Sequence, residues 1–144
     1  MLNGISHVRY DHRSRPSKIE VVCPKCQAKA VATVPCYDTG IYICNDLCPH
    51  WQTNDWSVAC TNCTFRAYKQ SYSDLGKFYY QVEARGHTLW AWNREHLVML
   101  YNLLSDKPID KLRYGWFATY AHKEWLKGAR KNSFAKAVEK MLKE

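Results

Sequence analysis

Two short cysteine motifs decide the fold of this chain, Cys23-Pro24-Lys25-Cys26 and Cys60-Thr61-Asn62-Cys63. Each motif places two thiolates at one tight turn, and two such turns supply the four sulfur ligands of a closed tetrahedral zinc site. A closed site leaves no position for a substrate, so it stabilises structure. Short β-prone runs enter and leave both motifs, which predicts an antiparallel zinc ribbon. These runs are 19–22, 30–34, 55–59 and 65–68.

The 33 residues between the two motifs hold a second set of metal-ligand residue types. This set consists of Cys36, Cys44, Cys48 and His50. The gap exceeds the usual spacing of about 15–20 residues in four-cysteine sites. Loop-closure entropy grows slowly with length, so the longer gap is tolerable. Seven cysteines, an odd number, favour metal ligands over a disulfide framework.

Two assignments of ligands to zinc ions follow. In the first, which we favour, Cys23, Cys26, Cys60 and Cys63 bind one zinc ion and the inserted set binds a second. In the second, Cys23 and Cys26 pair with Cys44 and Cys48, and the second motif pairs with Cys36 and His50. We predict one zinc ion, with two as the alternative outcome, and the division of the seven cysteines and His50 between zinc ions stays open.

The order of motifs predicts an α+β fold in three parts. Residues 1–17 are predicted to form a flexible basic arm. Residues 18–72 form the zinc ribbon, with the Cys/His insertion at 35–55. Residues 73–144 form a hairpin and a helical region packed on the ribbon.

The predicted C-terminal part contains a β-hairpin and a three-helix tail. Two β-prone runs, 78–84 and 88–92, flank Arg85-Gly86, which predicts a hairpin turn with Gly86 at positive φ. Asn93 predicts the N-cap of a buried helix over 94–105. A second helix is expected after Asp110, and a third is expected to begin at Ser133.

Charge and hydropathy limit the classes of function. The formal charge is +8, and four thiolates on one Zn²⁺ lower it to +6. A second site with three thiolates and one imidazole would lower it to +5. The basic surface fits an anionic partner. No apolar run of membrane-spanning length and no signal sequence is present, which predicts a cytoplasmic protein that binds no membrane.

Basic side chains define the predicted nucleic-acid contacts. Residues 101–144 contain 10 basic and 5 acidic residues, and several of the basic ones recur at helical spacing. Phosphates fit such a stripe, although a solvated helix face explains it equally well. The predicted contacts in the tail are Lys123, Lys127, Arg130, Lys131 and Lys136. The predicted contacts near the two motifs are Lys25, Lys29, Arg66 and Lys69.

Catalytic motifs are absent from the sequence. It contains no zinc-protease, phosphate-binding-loop, nucleophile-elbow or deaminase pattern. His96 lies in the first turn of a predicted helix, where capping chemistry explains its neighbours. Trp90 and Trp92 could stack on bases, but we favour their covering the buried helix. We predict that the chain is not an enzyme and binds no small-molecule substrate.

Two C-terminal segments, 88–97 and 124–132, together with the two cysteine motifs, resemble a group of bacterial proteins described as TFIIB-type zinc-ribbon-containing. The resemblance covers most of residues 20–144 and implies a ribbon followed by a helical tail. It implies no activity. The Cys/His insertion departs from the pattern, as does the lack of a proline before Trp125. The sequence therefore predicts a zinc-stabilised nucleic-acid-binding accessory protein, with an adaptor in a larger bacterial complex as the alternative.

Overall fold

The computed structural model describes residues 15–34, 47–48, 54–112, 114–115, 118, 121 and 123–144. Residues 1–14 of the predicted arm and most of the predicted insertion lie outside the described residues. The described chain divides into two compact units with a boundary between Tyr79 and Tyr80. We refer to residues 15–79 as the ribbon unit and to residues 80–144 as the tail unit.

The ribbon unit is an antiparallel β structure. Its described strands are β1 (Arg15–Pro16), β2 (Lys18–Val22), β3 (Lys29–Thr33), β4 (Leu47–Cys48), β5 (Trp56–Cys60) and β6 (Arg66–Gln70). Four of these strands form one sheet in the order β2-β3-β5-β6, and β1 pairs with β4. The strands that enter and leave each cysteine motif thus lie where the sequence predicts them.

Alternating side chains build the core of the ribbon unit. On one face of the sheet, buried positions line up across the strands, as the two-residue period of a strand requires. These positions include Ile19, Val21, Ala30, Ala32, Trp56 and Val58. Trp56 packs against Tyr72, and their ring centroids are 6.1 Å apart. Tyr72 begins a short 3-10 turn over Tyr72–Asp74. This core combines alanines and aliphatic side chains with the buried rings of Trp56, Tyr72 and Phe78.

The tail unit contains a hairpin, two α-helices and a 3-10 turn among its described residues. The elements are β7 (Tyr80–Ala84), β8 (His87–Ala91), α1 (Arg94–Leu104), the turn Lys123–Leu126 and α2 (Gly128–Leu142). Arg85 and Gly86 both have positive φ, at 50° and 78°, which is the turn that a two-residue hairpin favours. None of these helices has the length and apolar character needed to cross a membrane.

Helix α1 begins at the predicted cap. The Asn93 side chain accepts a hydrogen bond from the His96 backbone N–H at 3.0 Å, which satisfies a donor that the helix leaves unpaired. Helix α2 packs against α1 and β7 within the tail unit. Phe134 and Val138 are its buried residues, as the apolar stripe of this helix predicts.

The three-helix tail is wrong for the described residues, which contain two α-helices. In the described residues of the predicted middle helix, the Leu112 N–H bonds to the Ile109 carbonyl and the Gly115 N–H bonds to the Leu112 carbonyl. These bonds span three residues, as in 3-10 turns, and not the four of an α-helix. A Cβ at Gly115 would clash with the Ile109 carbonyl oxygen, so glycine permits this tight packing.

The predicted start of the last helix is also wrong. Helix α2 begins at Gly128, five residues before Ser133. The Ser133 hydroxyl donates to the Ala129 carbonyl at 3.1 Å and accepts from Arg85 Nε at 3.1 Å. Its side chain is therefore engaged inside the helix, where a serine can bond to the preceding turn instead of capping.

Candidate metal centre

Four cysteine side chains converge at one end of the four-stranded sheet. The Sγ atoms of Cys23, Cys26, Cys60 and Cys63 all lie within 4.8 Å of one another. The Cys23–Cys63 pair is separated by 3.8 Å and the Cys26–Cys60 pair by 3.4 Å. A tetrahedral zinc ion with sulfur at about 2.3 Å requires sulfur–sulfur distances of about 3.8 Å. The four cysteines are therefore positioned to bind one metal ion, as the favoured assignment predicts.

Strand register brings the two motifs together. The β2–β3 hairpin pairs Val22 with Lys29, so the first motif forms its closed end. Strand β3 then pairs Ala30 with Cys60, which places the second motif beside that end. The Thr61 backbone N–H and hydroxyl both bond to the Lys29 carbonyl, at 3.1 and 2.7 Å. Strand pairing thus brings the two motifs together despite the long gap in sequence. A bound metal would strengthen this existing contact.

Backbone N–H groups point at the sulfur atoms. Asn62 and Cys63 donate to Cys60 Sγ at 3.2 Å each, and Lys25 donates to Cys23 Sγ at 3.4 Å. Phe65 donates to Cys63 Sγ at 3.4 Å. Donors of this kind stabilise thiolate over thiol and orient each ligand. Such an arrangement fits four metal-bound thiolates.

The pKa values of the cysteines reflect crowding of four ionisable groups. Hydrogen bonds from the Ala28 backbone N–H and the Asn62 side-chain amide lower the pKa of the Cys26 thiol to about 6. The Phe65 N–H lowers the pKa of Cys63, but burial and bonds to the neighbouring thiols outweigh it and raise the pKa to about 12. Several negative charges at this spacing repel one another, so a divalent cation would offset the repulsion.

The second predicted ligand set falls mostly outside the described residues. Cys36, Cys44 and His50 all lie there, and for Cys48 the backbone alone is described. That backbone forms β4, where Cys48 pairs with Arg15 of β1. A second zinc site therefore stays a prediction.

The basic residues of the ribbon unit lie in two kinds of environment. Lys25, Arg66 and Lys69 are exposed and form no ion pair with any residue that the structure describes. Lys29 instead pairs with Glu20 at 2.9 Å, and the Glu20 side chain is only 4% exposed. A buried carboxylate requires such a partner, so Lys29 neutralises Glu20 in addition to its predicted role as a nucleic-acid contact.

The basic residues of the tail unit are mostly engaged. Glu124 binds Lys127 at 3.0 Å and Arg130 at 2.6 Å, and the Lys127 ammonium holds the pKa of the Glu124 carboxyl below its usual value. Lys131 pairs with Asp106 at 2.7 Å. The two other predicted contacts, Lys123 and Lys136, are exposed and form no ion pair within the described part of the tail. The predicted stripe is therefore partly neutralised by carboxylates of its own unit.

His96 lies in an aromatic cluster and not at a reactive surface. Its side chain is buried, and its Nδ1 accepts a hydrogen bond from the Trp92 backbone N–H at 3.1 Å. Burial lowers the pKa of His96 to about 3, so the imidazole is neutral at pH 7. Trp90 and Trp92 are buried beside it, with ring centroids 6.0 and 5.5 Å from the imidazole. These tryptophans form the core of the tail unit, as the favoured interpretation predicts.

Sequence reasoning did not single out two features of the site. The first is the pair Thr61 and Asn62, which lie between Cys60 and Cys63. Thr61 bonds to the Lys29 carbonyl and Asn62 donates to Cys60 Sγ, but the spacing of the motif identifies only the cysteines. Tyr68, on β6, is the exposed large apolar residue of the described chain, with 67% of its surface accessible. The sequence places Tyr68 between Arg66 and Lys69, and this position was the available signal. A search for basic residues alone does not detect it.

Comparisons with known proteins return nothing: no family model, no curated protein and no solved structure matches the chain. The resemblance to TFIIB-type zinc-ribbon-containing proteins therefore stays a prediction.

Proposed function

We propose that this chain is a non-enzymatic, zinc-stabilised nucleic-acid-binding accessory protein. The observation that carries the proposal is a set of three exposed cations, Lys25, Arg66 and Lys69, on the unit that holds the four-cysteine cluster. The metal supports the fold of this unit, and the cations contact phosphates. Neither role needs a catalytic group.

Zinc is the metal that the donor set favours. Four cysteine sulfurs in a tetrahedral arrangement are typical of structural zinc sites, and hard cations such as Mg²⁺ prefer oxygen ligands. Cys23, Cys26, Cys60 and Cys63 would hold the ion. Because all four positions would be filled by protein ligands, the bound metal would supply structural stability alone.

The charge arrangement favours phosphate contacts on the ribbon. Exposed lysine and arginine side chains release condensed counterions when they bind phosphates, and this release drives binding. Cations that already pair with a carboxylate, such as Lys127 and Lys131, must first exchange that partner. We therefore assign the main phosphate contacts to Lys25, Arg66 and Lys69, with Lys123 and Lys136 as additional candidates.

A salt titration of the zinc-loaded full chain tests the proposal. Binding to fluorescein-labelled 20-nucleotide DNA and RNA, single-stranded and duplex, is followed by anisotropy. Three phosphate contacts predict a slope of log K against log[salt] of about −2.1 to −2.7, or roughly 20- to 40-fold weaker binding at 200 than at 50 mM salt. An absence of binding to all four oligonucleotides at about 50 mM salt would overturn the proposal. Such a result would leave the protein-interaction adaptor as the function to pursue.

A further inference from the structure

Strand β6 forms an edge of the four-stranded sheet and departs from regular alternation. In a regular strand, successive side chains point to opposite faces. Ala67 lies opposite Val58, and Arg66 lies opposite Ala59. Beyond Ala67 the register shifts, because Tyr68 and Lys69 together face the single residue Ser57. This arrangement is a β-bulge, a feature that re-aims side chains at a sheet edge.

The bulge turns one additional side chain toward solvent. Without it, Lys69 would point to the same face as the half-buried Ala67. With it, Arg66, Tyr68 and Lys69 are all exposed. Lys69 has φ of 53°, a left-handed conformation that side-chain-bearing residues rarely adopt. The Gln70 side-chain amide donates to the Tyr68 carbonyl at 3.0 Å, which satisfies an acceptor within the bulge.

Tyr68 combines a large apolar ring with high exposure. It is 67% exposed, whereas the other described tyrosines and tryptophans are buried or half-buried. A single exposed aromatic side chain is common on protein surfaces and needs no special explanation. Tyr68, however, stands between two exposed cations on a strand with no carboxylate. A planar ring flanked by positive charge fits a ligand that has flat faces and a negative backbone.

We propose that β6 binds single-stranded nucleic acid, with one base stacked on Tyr68 and the flanking phosphates held by Arg66 and Lys69. This inference rests on the proposed function and specifies the strand type and the contact. Base pairs in a duplex are stacked on their neighbours, so their faces are inaccessible to a side chain on a flat sheet edge. Addition of a protein strand to β6 fits less well, because the bulge and the two cations interrupt a regular edge.

The test compares variants of Tyr68 in the zinc-loaded full chain. Fluorescein-labelled oligo-dT and oligo-U of 20 nucleotides serve as single-stranded probes, and a 20-base-pair duplex of mixed sequence serves as the third. Tyr68→Ala removes the ring, and Tyr68→Phe keeps it as the matched control. Because Tyr68 is exposed, both variants should fold, and hydrogen exchange of ribbon peptides verifies this.

We expect tighter binding to the single strands than to the duplex. Tyr68→Ala should weaken single-strand binding roughly 5- to 150-fold, the range for loss of one base–aromatic stack. Tyr68→Phe should bind within about twofold of the unchanged chain, since it retains the stacking ring. Neither variant should change the slope of log K against log[salt], because no charge is removed.

Unchanged single-strand affinity of Tyr68→Ala, or a preference for the duplex, would overturn this inference and leave the proposed function standing. Absence of binding to all three probes would overturn the proposed function and the inference with it.

Discussion

The ribbon unit and the tail unit are stabilised by different interactions. The ribbon has four converging thiols beside a core of aliphatic side chains and the rings of Trp56, Tyr72 and Phe78. The tail has interlocking aromatic rings, in which Trp90 meets Trp92 and Trp125 with centroids 5.8 and 5.9 Å apart. Trp125 also donates its indole N–H to the Thr88 carbonyl at 2.9 Å. Small units commonly need a covalent or metal staple in addition to their core, and the four thiols offer one in the ribbon.

The two units also differ in how they use positive charge. Both are rich in lysine and arginine, yet Arg66 and Lys69 of the ribbon are exposed and pair with no carboxylate in the described chain. In the tail, Glu124 and Asp106 engage three of the predicted contacts. Composition alone therefore does not locate a phosphate-binding surface. The positions of the carboxylates decide which cations remain available.

Removal of the metal should have the largest effect on the difference in stability between the ribbon and the tail. A strong chelator, or Cys60→Ser, should unfold the ribbon, because a structural zinc ion supplies about 10–16 kcal/mol in small peptides. The tail should stay folded, since its core contains no metal ligand among the described residues. Hydrogen exchange with mass spectrometry of peptides from each unit measures both responses. Thr64→Ser, an exposed change beside the same motif, is the control, and continued protection of ribbon peptides would contradict the metal's role.

Acid should destabilise the tail through His96, in addition to releasing the metal from the ribbon when the thiolates are protonated. His96 has an ordinary pKa of 6.5 when unfolded and about 3 when buried, so the folded tail favours the neutral imidazole. The corresponding stability is complete above pH 6.5 and is lost as pH falls toward 3, by on the order of 5 kcal/mol. Exchange of tail peptides over this range measures it.

His96→Asn keeps an acceptor for the Trp92 N–H and should remove most of this pH dependence. His87→Asn, at a half-buried position on β8, is the matched control and should retain it. Equal pH dependence in His96→Asn and the unchanged chain would show that another group causes the acid transition.

A smaller effect is expected at Asn93, which links the start of α1 to the aromatic cluster. Its amide donates to the Tyr114 hydroxyl at 2.9 Å while its oxygen caps the helix. Asn93→Ser keeps a capping oxygen and loses the hydrogen bond to the Tyr114 hydroxyl, at a cost of about 0.5–1.5 kcal/mol. Asn93→Ala should cost about 1 kcal/mol more, because the cap is also lost. Chemical denaturation monitored in the tail distinguishes the two, and equal values would argue against capping by Asn93.

The smallest effect is expected at the ion pair of Lys131 with Asp106. The carboxylate is 80% exposed, so solvent screens the interaction. Asp106→Asn should lower tail stability by at most about 1 kcal/mol. Because it frees Lys131, the same variant should strengthen nucleic-acid binding if the tail can contact phosphates. A loss of several kcal/mol would show that the charged pairs, and not the aromatic rings, maintain the tail.

The parts of the fold that could be predicted depend on local sequence signals. The cysteine spacing identified the metal ligands, and Asn93 and Gly86 identified a helix start and a turn, because each residue type satisfies a specific backbone need. The middle helix of the tail was predicted from aromatic spacing that turns can also produce. In the described residues of that segment, the backbone of Gly115 instead approaches the Ile109 carbonyl, a contact that the aromatic spacing does not reveal.

The candidate binding surface was predictable only in part. Arg66 and Lys69 were identified by charge, but the exposure of Lys69 depends on a bulge that no local pattern marks. The pairing of Lys127 and Arg130 with Glu124 likewise depends on how the turn before α2 folds back. Sequence identified the chemistry of these residues, and tertiary structure determined which of them remain available.

The central claim is that exposed cations of the ribbon supply the main phosphate contacts, and that the carboxylate-paired Lys127 and Lys131 of the tail do not. Two double variants remove the same charge from each unit, Arg66→Gln with Lys69→Gln and Lys127→Gln with Lys131→Gln. In the salt titration, the ribbon variant should reduce the magnitude of the slope of log K against log[salt] by about 1.4–1.8, whereas the tail variant should leave it unchanged. A reduced slope in the tail variant, together with an unchanged slope in the ribbon variant, would contradict the claim.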